Sequence, residues 1–138
     1  MARGVFISYS RSDGEAFADR LRTRLERESI PLWQDRVGME GGRDWWLQIT
    51  EALNKVEYMV LVMTPDALRS PIIRKEWRYA RQQGVCVYPV KGVADAKLDY
   101  ASLPRWMRSV HFYDVGDLDK NRTGPEWGKF VNDLNTRC

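Results

Sequence analysis

The sequence predicts one three-layer α/β domain, in which a five-stranded parallel sheet is covered by helices on both faces. Short apolar runs alternate along the chain with segments of helical periodicity, which is the order of parallel sheets with crossover helices. Residues 58–63 are all apolar, as expected of a central strand that is covered on both sides. The 138 residues are the length of one domain.

The first strand is predicted at residues 5–10, where β-branched and aromatic residues are dense. Ser12 and Glu15 have the spacing of a capping box, in which the hydroxyl and the carboxylate each accept a backbone N–H. The first helix is therefore expected to start there, and a short second strand follows at residues 30–35. The four-residue spacing of apolar side chains predicts the buried face of this helix, which consists of Phe17, Leu21 and Leu25.

A glycine-rich loop is predicted at residues 36–44, since glycines permit positive φ and a close approach of backbones. A second helix is predicted at residues 45–55 and the central strand at residues 57–63. The residues of interest in the loop are Gly38, Met39, Gly41 and Gly42. The predicted buried face of the second helix consists of Trp46, Ile49 and Leu53.

The second half of the chain continues the alternation. Residues 64–68 are predicted to form a turn, and Ser70 followed by Pro71 is typical of a helix start. Gly84 is typical of a position just past a helix end. The predicted elements that follow the turn are a helix at 72–83, a strand at 85–90, an irregular segment at 91–107, a fifth strand at 110–115 and a last helix at 126–134.

Composition narrows the classes of function. Lys and Arg number 22 against 19 Asp and Glu, a net charge of +3, so we expect no nucleic-acid partner for this domain. A single histidine excludes multi-histidine metal sites, and we expect no metal and no cofactor.

Cys86 lies in an apolar run and Cys138 is the last residue, so we expect no disulfide and a reducing compartment. No apolar stretch approaches twenty residues, so we expect a cytoplasmic domain without a membrane partner.

Several classes that share this α/β order lack their motifs here. No G-x-G-x-x-G follows the first strand and no G-x-x-x-x-G-K-[ST] occurs, which disfavours a dehydrogenase or a P-loop enzyme. A receiver domain needs several acids at the strand ends to hold Mg²⁺, whereas only Asp13 lies near the end of the first strand. With one histidine available, catalysis would depend on carboxylates, hydroxyls and arginines.

Four short segments occur in a specific order and spacing. They are F-I-S-Y-S at residues 6–10, L-W-Q-D at 32–35, G-R-D-W at 42–45, and Ser70 with R-K-E at 74–76. Together they resemble the Toll/interleukin-1 receptor (TIR) domain of the bacterial type, from residue 5 to about residue 134. The resemblance implies a flavodoxin-like fold with strand order 2-1-3-4-5. It also implies one of two functions: assembly with other TIR domains, or cleavage of NAD⁺ at the nicotinamide–ribose bond.

The resemblance implies that Glu76, the last residue of the S-x-x-x-x-x-E segment, is the catalytic carboxylate. One carboxylate suffices, because nicotinamide leaves as a neutral molecule, whereas a glycosidase needs a second carboxyl to protonate its leaving group. The carboxylate would stabilise an oxocarbenium-like ribose and accept hydrogen bonds from its hydroxyls. The alternative is an exposed helical residue, and the cations available to pair with it are Arg74, Lys75 and Arg78.

The resemblance also implies candidate substrate contacts. Arg11 suits the pyrophosphate of NAD⁺, or is a solvated loop residue. Asp35 caps its loop or binds a ribose, and Trp45 forms a pocket wall or a partner surface. The full set of candidate contacts is Tyr9, Ser10, Arg11, Asp35, Trp45 and Ser70. The expected self-association element, whose apolar tip would dock in the next copy, is the loop with Gly38, Met39, Gly41 and Gly42.

One position departs from the W-x-x-x-E pattern that is common among the enzymes of this family. Ile72 stands four residues before Glu76, where an aromatic ring would stack on the substrate. Trp77 points about 100° further round the helix and does not replace that ring simply. The departure favours the alternative function, a non-catalytic interaction module. We expect residues 1–138 to be one TIR domain excised from a longer signalling protein of the bacterial, anti-phage immune type.

Overall fold

The protein is described by a computed structural model that covers residues 4–33, 45–116, 118 and 122–138. Its strands are β1 (Val5–Ser8), β2 (Leu32–Trp33), β3 (Tyr58–Met63) and β4 (Cys86–Lys91). They form one parallel sheet in the order β2-β1-β3-β4, which confirms the predicted order for these four strands. The carboxyl ends of all four strands therefore lie at the same edge of the sheet.

The predicted fifth strand at 110–115 is wrong. Only Tyr113 pairs with β4, where its N–H donates to the Pro89 carbonyl at 3.0 Å and its carbonyl accepts the Lys91 N–H at 2.9 Å. The Asp114 N–H instead donates to the Glu126 carboxylate at 2.8 Å. Beyond it, the chain turns away at Gly116, where φ is +100°. The segment thus reaches the predicted place beside β4 but makes one bridge rather than a ladder.

The helices are α1 (Glu15–Arg27), α2 (Trp45–Leu53), α3 (Pro65–Arg69), α4 (Pro71–Gln82) and α5 (Trp127–Leu134), and 3₁₀ turns lie at Asp95–Lys97, Tyr100–Ser102 and Arg105–Ser109. The predicted turn at 64–68 is instead the short helix α3, which the Thr64 hydroxyl caps by accepting the Ala67 N–H at 3.2 Å. The predicted capping box is also wrong, because Gly14 is the N-cap of α1 and the Ser12 hydroxyl donates to the Asp66 carboxylate.

The three predicted layers are confirmed, because successive side chains of a strand point to opposite faces. Helices α2 and α4 cover the face that carries Phe6, Met59, Leu61, Met63 and Val87. Helices α1 and α5 cover the face that carries Val5, Ile7, Tyr58, Val60, Val62 and Val90. The predicted stripes are confirmed as well: Leu21, Leu25, Ile49 and Leu53 are buried, while Phe17 and Trp46 pack half-buried against the core. Among the described helices, none has the length and apolar character that a membrane span requires.

The expectation that the cysteines stay apart is wrong, because the structure joins Cys86 and Cys138 in a disulfide. Helix α5 runs back along the sheet, so the last residue of the chain arrives beside the first residue of β4. The two Cα atoms lie 6.1 Å apart, within the usual range for a disulfide. A separation of 52 residues hides this proximity from the sequence.

Reduction of this disulfide is expected to destabilise the domain by about 2–4 kcal/mol, because the unfolded chain regains the freedom that a long closed loop removes. Urea unfolding with and without dithiothreitol measures the difference. Cys138→Ser is the control, since its stability should be insensitive to the reductant and should match that of the reduced parent chain. Equal urea midpoints for the oxidised and reduced parent chain would contradict the prediction.

Three tyrosines join β3, β4 and α5 on one face of the sheet. The Tyr113 hydroxyl donates to the Asp133 carboxylate at 2.5 Å, and the Tyr58 hydroxyl donates to the Thr136 carbonyl. Burial raises the pKa of the Tyr58, Tyr88 and Tyr113 hydroxyls above the usual value of 10.0. Because the unfolded chain ionises first, this contribution to stability is complete below pH 10 and is lost as the pH rises towards the folded-state pKa values.

The free energy of unfolding is therefore expected to fall by on the order of 1 kcal/mol between pH 10 and pH 11. Urea unfolding across that range measures the fall. Tyr113→Phe removes one of the three raised groups, so its loss of stability per pH unit should be smaller than that of the parent. A slope unchanged by Tyr113→Phe would rule out Tyr113 as a source of the alkaline sensitivity.

Candidate functional site

The candidate site lies where β1 ends beneath α4. In parallel α/β sheets ligands bind beyond the carboxyl ends of the strands, near the point where the strand order reverses. Here the order reverses between β1 and β3, since the chain runs outward from β1 to β2 and then returns to the other side of β1. The segments that leave β1 and β3 therefore frame the site.

Glu76 is the central side chain of this site. It is 3% exposed, so the alternative of an exposed helical residue is wrong. The hydroxyl of Ser8, a fully buried residue at the end of β1, donates to Glu76 Oε1 at 2.6 Å. A hydrogen bond of this length to a carboxylate is typical of a charge-assisted contact.

The start of α4 explains why Glu76 faces the sheet. The Ser70 hydroxyl accepts the Ile73 N–H at 3.2 Å and Pro71 occupies the first helical position, which confirms the predicted helix start. From this start, Ile73, Trp77 and Ala80 face the core, and Glu76 shares their buried side of the helix. Ser70 thus has a structural task as a cap, and its contact with a substrate stays a prediction.

Ile72 marks the outer end of the site. It lies one turn before Glu76 on the same side of α4, yet it is 50% exposed. An aromatic ring at this position would therefore stand at the surface beside the carboxylate. Trp77 does not take its place, because the Trp77 ring is buried in the core, 5.2 Å from the ring of Trp106.

A row of aromatic side chains connects the start of α2 to α4. Trp45 contacts Trp46 edge to face and Trp46 contacts Tyr79 in the same way, each at 5.9 Å between ring centroids. Lys75 Nζ lies 4.3 Å from the centroid of the Trp46 ring. Trp46 therefore belongs to the packing against Glu76's own helix, whereas Trp45 is 38% exposed and its contact with a substrate or a partner stays a prediction.

The segment after β1 carries three of the candidate contacts. Tyr9 is buried among the residues that pack against α1 and α5, on the face of the sheet opposite Ser8. Ser10 is half-buried and Arg11 is exposed. The structure thus brings Ser10 and Arg11 to the carboxyl edge with Glu76, while their contact with NAD⁺ stays a prediction. Asp35, Gly38, Met39, Gly41 and Gly42 lie outside the described residues.

Asp13 ties the segment after β1 to the segment after β3. Its two carboxylate oxygens accept the Thr64 hydroxyl at 2.6 Å and the Asp66 N–H at 2.9 Å. The Ser12 hydroxyl donates to the Asp66 carboxylate, and this bond, helped by Arg69, holds the pKa of Asp66 below its usual value. The two loops that frame the site are therefore fixed to each other.

Sequence reasoning missed the roles of Ser8 and Asp13. A usable signal for Ser8 was a polar residue within an apolar strand, placed on the same face as Phe6. Asp13 was considered from the sequence only as a ligand for Mg²⁺, and not as a link between two loops. Within the described ranges, no three or more His, Cys, Asp or Glu side chains are grouped to hold a metal ion.

Two cavities of about 450 and 420 Å³ open at the carboxyl end of β4 and share Lys91 and Asp95 in their walls. Lys91 forms an ion pair with Asp95 at 3.1 Å, and the Tyr100 hydroxyl donates to the same carboxylate at 2.9 Å. Neither lining includes Glu76. The cleft around Lys91 is therefore separate from the Glu76 site, and Lys91 is paired with Asp95 inside it.

Comparison with known proteins agrees with the resemblance. A family model described as TIR domain matches residues 5–124. A curated relative named NAD(+) hydrolase ApTIR, from Actinoplanes sp., is 24% identical in an alignment of 131 positions that covers 89% of this chain and 17% of the relative. A second, named NAD(+) hydrolase sarm1, from Drosophila melanogaster, is 29% identical in an alignment of 123 positions that covers 80% of this chain and 9% of the relative.

Solved structures support the fold. The crystal structure of the TIR domain of the Toll-related receptor TRR-2 from Hydra magnipapillata superposes with a TM-score of 0.76 at 20% identity. The superposition covers 99% of this chain and all of that one. The predicted flavodoxin-like α/β arrangement is thereby confirmed, with four strands in the sheet that the described residues form.

Proposed function

The chain belongs to the TIR domain family, and on this premise we propose that it cleaves NAD⁺ at the bond between nicotinamide and ribose, with Glu76 as the catalytic residue. One observation carries the proposal: a carboxylate is buried at the carboxyl edge of the sheet and held there by a hydroxyl at 2.6 Å. Burial of a charged group costs stability, so its retention favours a function. The names of the two curated relatives agree with this reaction.

The proposed reaction needs one anion. The bond between ribose C1′ and the nicotinamide nitrogen breaks, and its electron pair stays on nicotinamide, which leaves neutral. The positive charge that develops on the ribose is stabilised by the Glu76 carboxylate, which also accepts hydrogen bonds from the ribose hydroxyls. In hydrolysis a water oxygen then bonds to C1′ and the attacking water gives up one proton. In cyclisation a nucleophilic atom of the same substrate bonds to C1′ instead. Hydrolysis and cyclisation thus share this first step.

The remaining candidate contacts take supporting roles in the proposal. Arg11 is exposed beside the start of α1, where a guanidinium suits a pyrophosphate. Ser10 neighbours it, and Trp45 offers an exposed ring edge at the start of α2. NAD⁺ is the substrate in this proposal, and no further cofactor takes part. We also propose that the reaction occurs in the cytoplasm, where Cys86 and Cys138 would be in their reduced form.

The alternative function is a non-catalytic module that assembles with other TIR domains. Ile72 supports it, because the position that carries an aromatic ring in the enzymes holds an aliphatic side chain. Exposed apolar side chains on and near α2 also support a partner surface, and they are Trp33, Trp45 and Leu47. The two functions are compatible if assembly completes the site.

The test of the proposed function is release of nicotinamide from NAD⁺ by the purified chain, followed by liquid chromatography. Nicotinamide and ADP-ribose, or a cyclic product, should appear in equal amounts, and faster when copies are tethered together. If the chain does not consume NAD⁺ even when copies are tethered, the proposal of catalysis is overturned. The non-catalytic interaction module then becomes the supported function.

Ile72→Trp is expected to increase the affinity for NAD⁺ or its turnover by roughly fivefold, since stacking on a flat ring contributes on the order of 1 kcal/mol. Ile72 is half exposed, so the larger side chain should fit without overpacking the core. The Michaelis constant, kcat and melting temperature of this variant are compared with those of Gln82→Trp, which adds a ring to an exposed position at the other end of α4. A fivefold gain in both variants, or in neither, would contradict a specific stacking role at residue 72.

A further inference from the structure

Ser8 occupies an unusually fixed position for a hydroxyl. It lies in β1 with its backbone paired to Leu61 of β3, and it is fully buried. Its neighbour on the same face of β1, Phe6, belongs to the hydrophobic core beneath α2 and α4. The Ser8 hydroxyl donates to Glu76 Oε1 at 2.6 Å, across 68 residues of sequence.

We propose that Ser8 is a positioning residue for the Glu76 carboxylate, an inference that rests on the proposed function of that carboxylate. Its hydroxyl fixes Oε1, and so fixes the orientation of the carboxylate plane towards the ribose. The same bond favours the ionised form of the acid, because it is made to the negative charge. A donor that is already in place costs no reorganisation when positive charge develops on the sugar.

A purely structural role would not require this pair. Two apolar side chains would fill the space between β1 and α4 at lower cost, because a buried ion with its partner is often less stabilising than a hydrophobic replacement. The sheet holds Ser8 rigidly, while Glu76 has three rotatable side-chain bonds. The strand therefore restrains the helical carboxylate, rather than the reverse.

Ser8→Ala is expected to lower kcat by about ten- to a hundredfold while KM stays within about twofold, since a hydrogen bond to a charged group is lost in the transition state. Ser8→Thr, which keeps the hydroxyl, should restore kcat to within about fivefold of the parent. Ser8→Cys keeps a weak donor and should fall between the two. Val60→Ala is the matched control, because it removes packing from the buried strand β3 on the opposite face of the sheet.

A Ser8→Ala variant whose kcat falls no further than that of Val60→Ala would overturn the proposal, as would a Ser8→Thr variant no better than Ser8→Ala. If Ser8→Ala does not fold, the comparison of Ser8→Cys with Ser8→Thr decides in the same way. These outcomes leave the proposed function intact, because the parent chain still cleaves NAD⁺.

A second measurement does not depend on catalysis. Titration of ¹³C-labelled glutamate by NMR, with Glu76→Gln for assignment, follows the protonation of Glu76 directly. In Ser8→Ala the Glu76 carboxylate should take up its proton at a higher pH than in the parent or in Val60→Ala. If the parent chain does not cleave NAD⁺, the proposed function fails, and this shift still supports the restraint of Glu76 by Ser8. An unchanged titration of Glu76 in Ser8→Ala would overturn the proposal that Ser8 positions the Glu76 carboxylate.

Discussion

Glu76→Gln is expected to reduce nicotinamide release from NAD⁺ by on the order of a thousandfold. The amide removes the negative charge that stabilises the ribose cation, and loss of one such electrostatic contact costs about a hundred- to a thousandfold in rate. The fold should persist, because the Gln carbonyl oxygen can still accept the Ser8 hydroxyl.

Glu51→Gln is the matched control, because Glu51 is exposed on α2 and its loss of charge should leave the rate unchanged. Both variants are compared at the same protein concentration and degree of tethering. A Glu76→Gln variant that keeps a rate near that of the parent would end the assignment of Glu76 as the catalytic residue. Equal losses in Glu51→Gln and Glu76→Gln would point to an effect of net charge.

The parallel sheet was predictable because it follows from local patterns that repeat, whereas the order of its strands came from the resemblance to the TIR family. The alternation of apolar runs and helical periods requires parallel strands, and the fully apolar run of β3 identifies the centre. The absence of the fifth strand was not predictable, since residues 110–115 are rich enough in apolar residues to form one. The pairing with β4 stops after Tyr113 because the Asp114 N–H donates to the Glu126 carboxylate and the chain turns at Gly116. Both features depend on the tertiary structure.

The candidate site was predictable only in part. The motif identified Glu76, and its spacing from Ser70 placed it on a helix that starts where expected. Its burial and its bond to Ser8 join residues 68 positions apart, a contact that no local pattern contains. The disulfide was missed for the same reason, since Cys86 and Cys138 meet only after α5 has packed on the sheet.

The second large effect concerns assembly. In the single chain the Glu76 side chain is 3% exposed, so NAD⁺ reaches the carboxylate only in a conformation that opens the site. A conformation populated at about 1% would lower the apparent activity about a hundredfold, and contacts between copies that favour it would restore the activity. Specific activity should therefore rise at least about tenfold when copies are brought together.

Fusion to a domain that dimerises on addition of a small molecule tests this within one protein sample. The rate of nicotinamide release is measured at fixed protein concentration with and without the small molecule, while light scattering reports the mass. The same fusion carrying Glu76→Gln controls for activity of the fusion partner. The exposed side chains of Trp45 and Leu47 supply apolar area that a neighbouring copy would cover, so their replacement by Ser should weaken the untethered activity at high concentration. A monomer that turns over NAD⁺ at its full rate, independent of dilution, would show that the site opens without a neighbour.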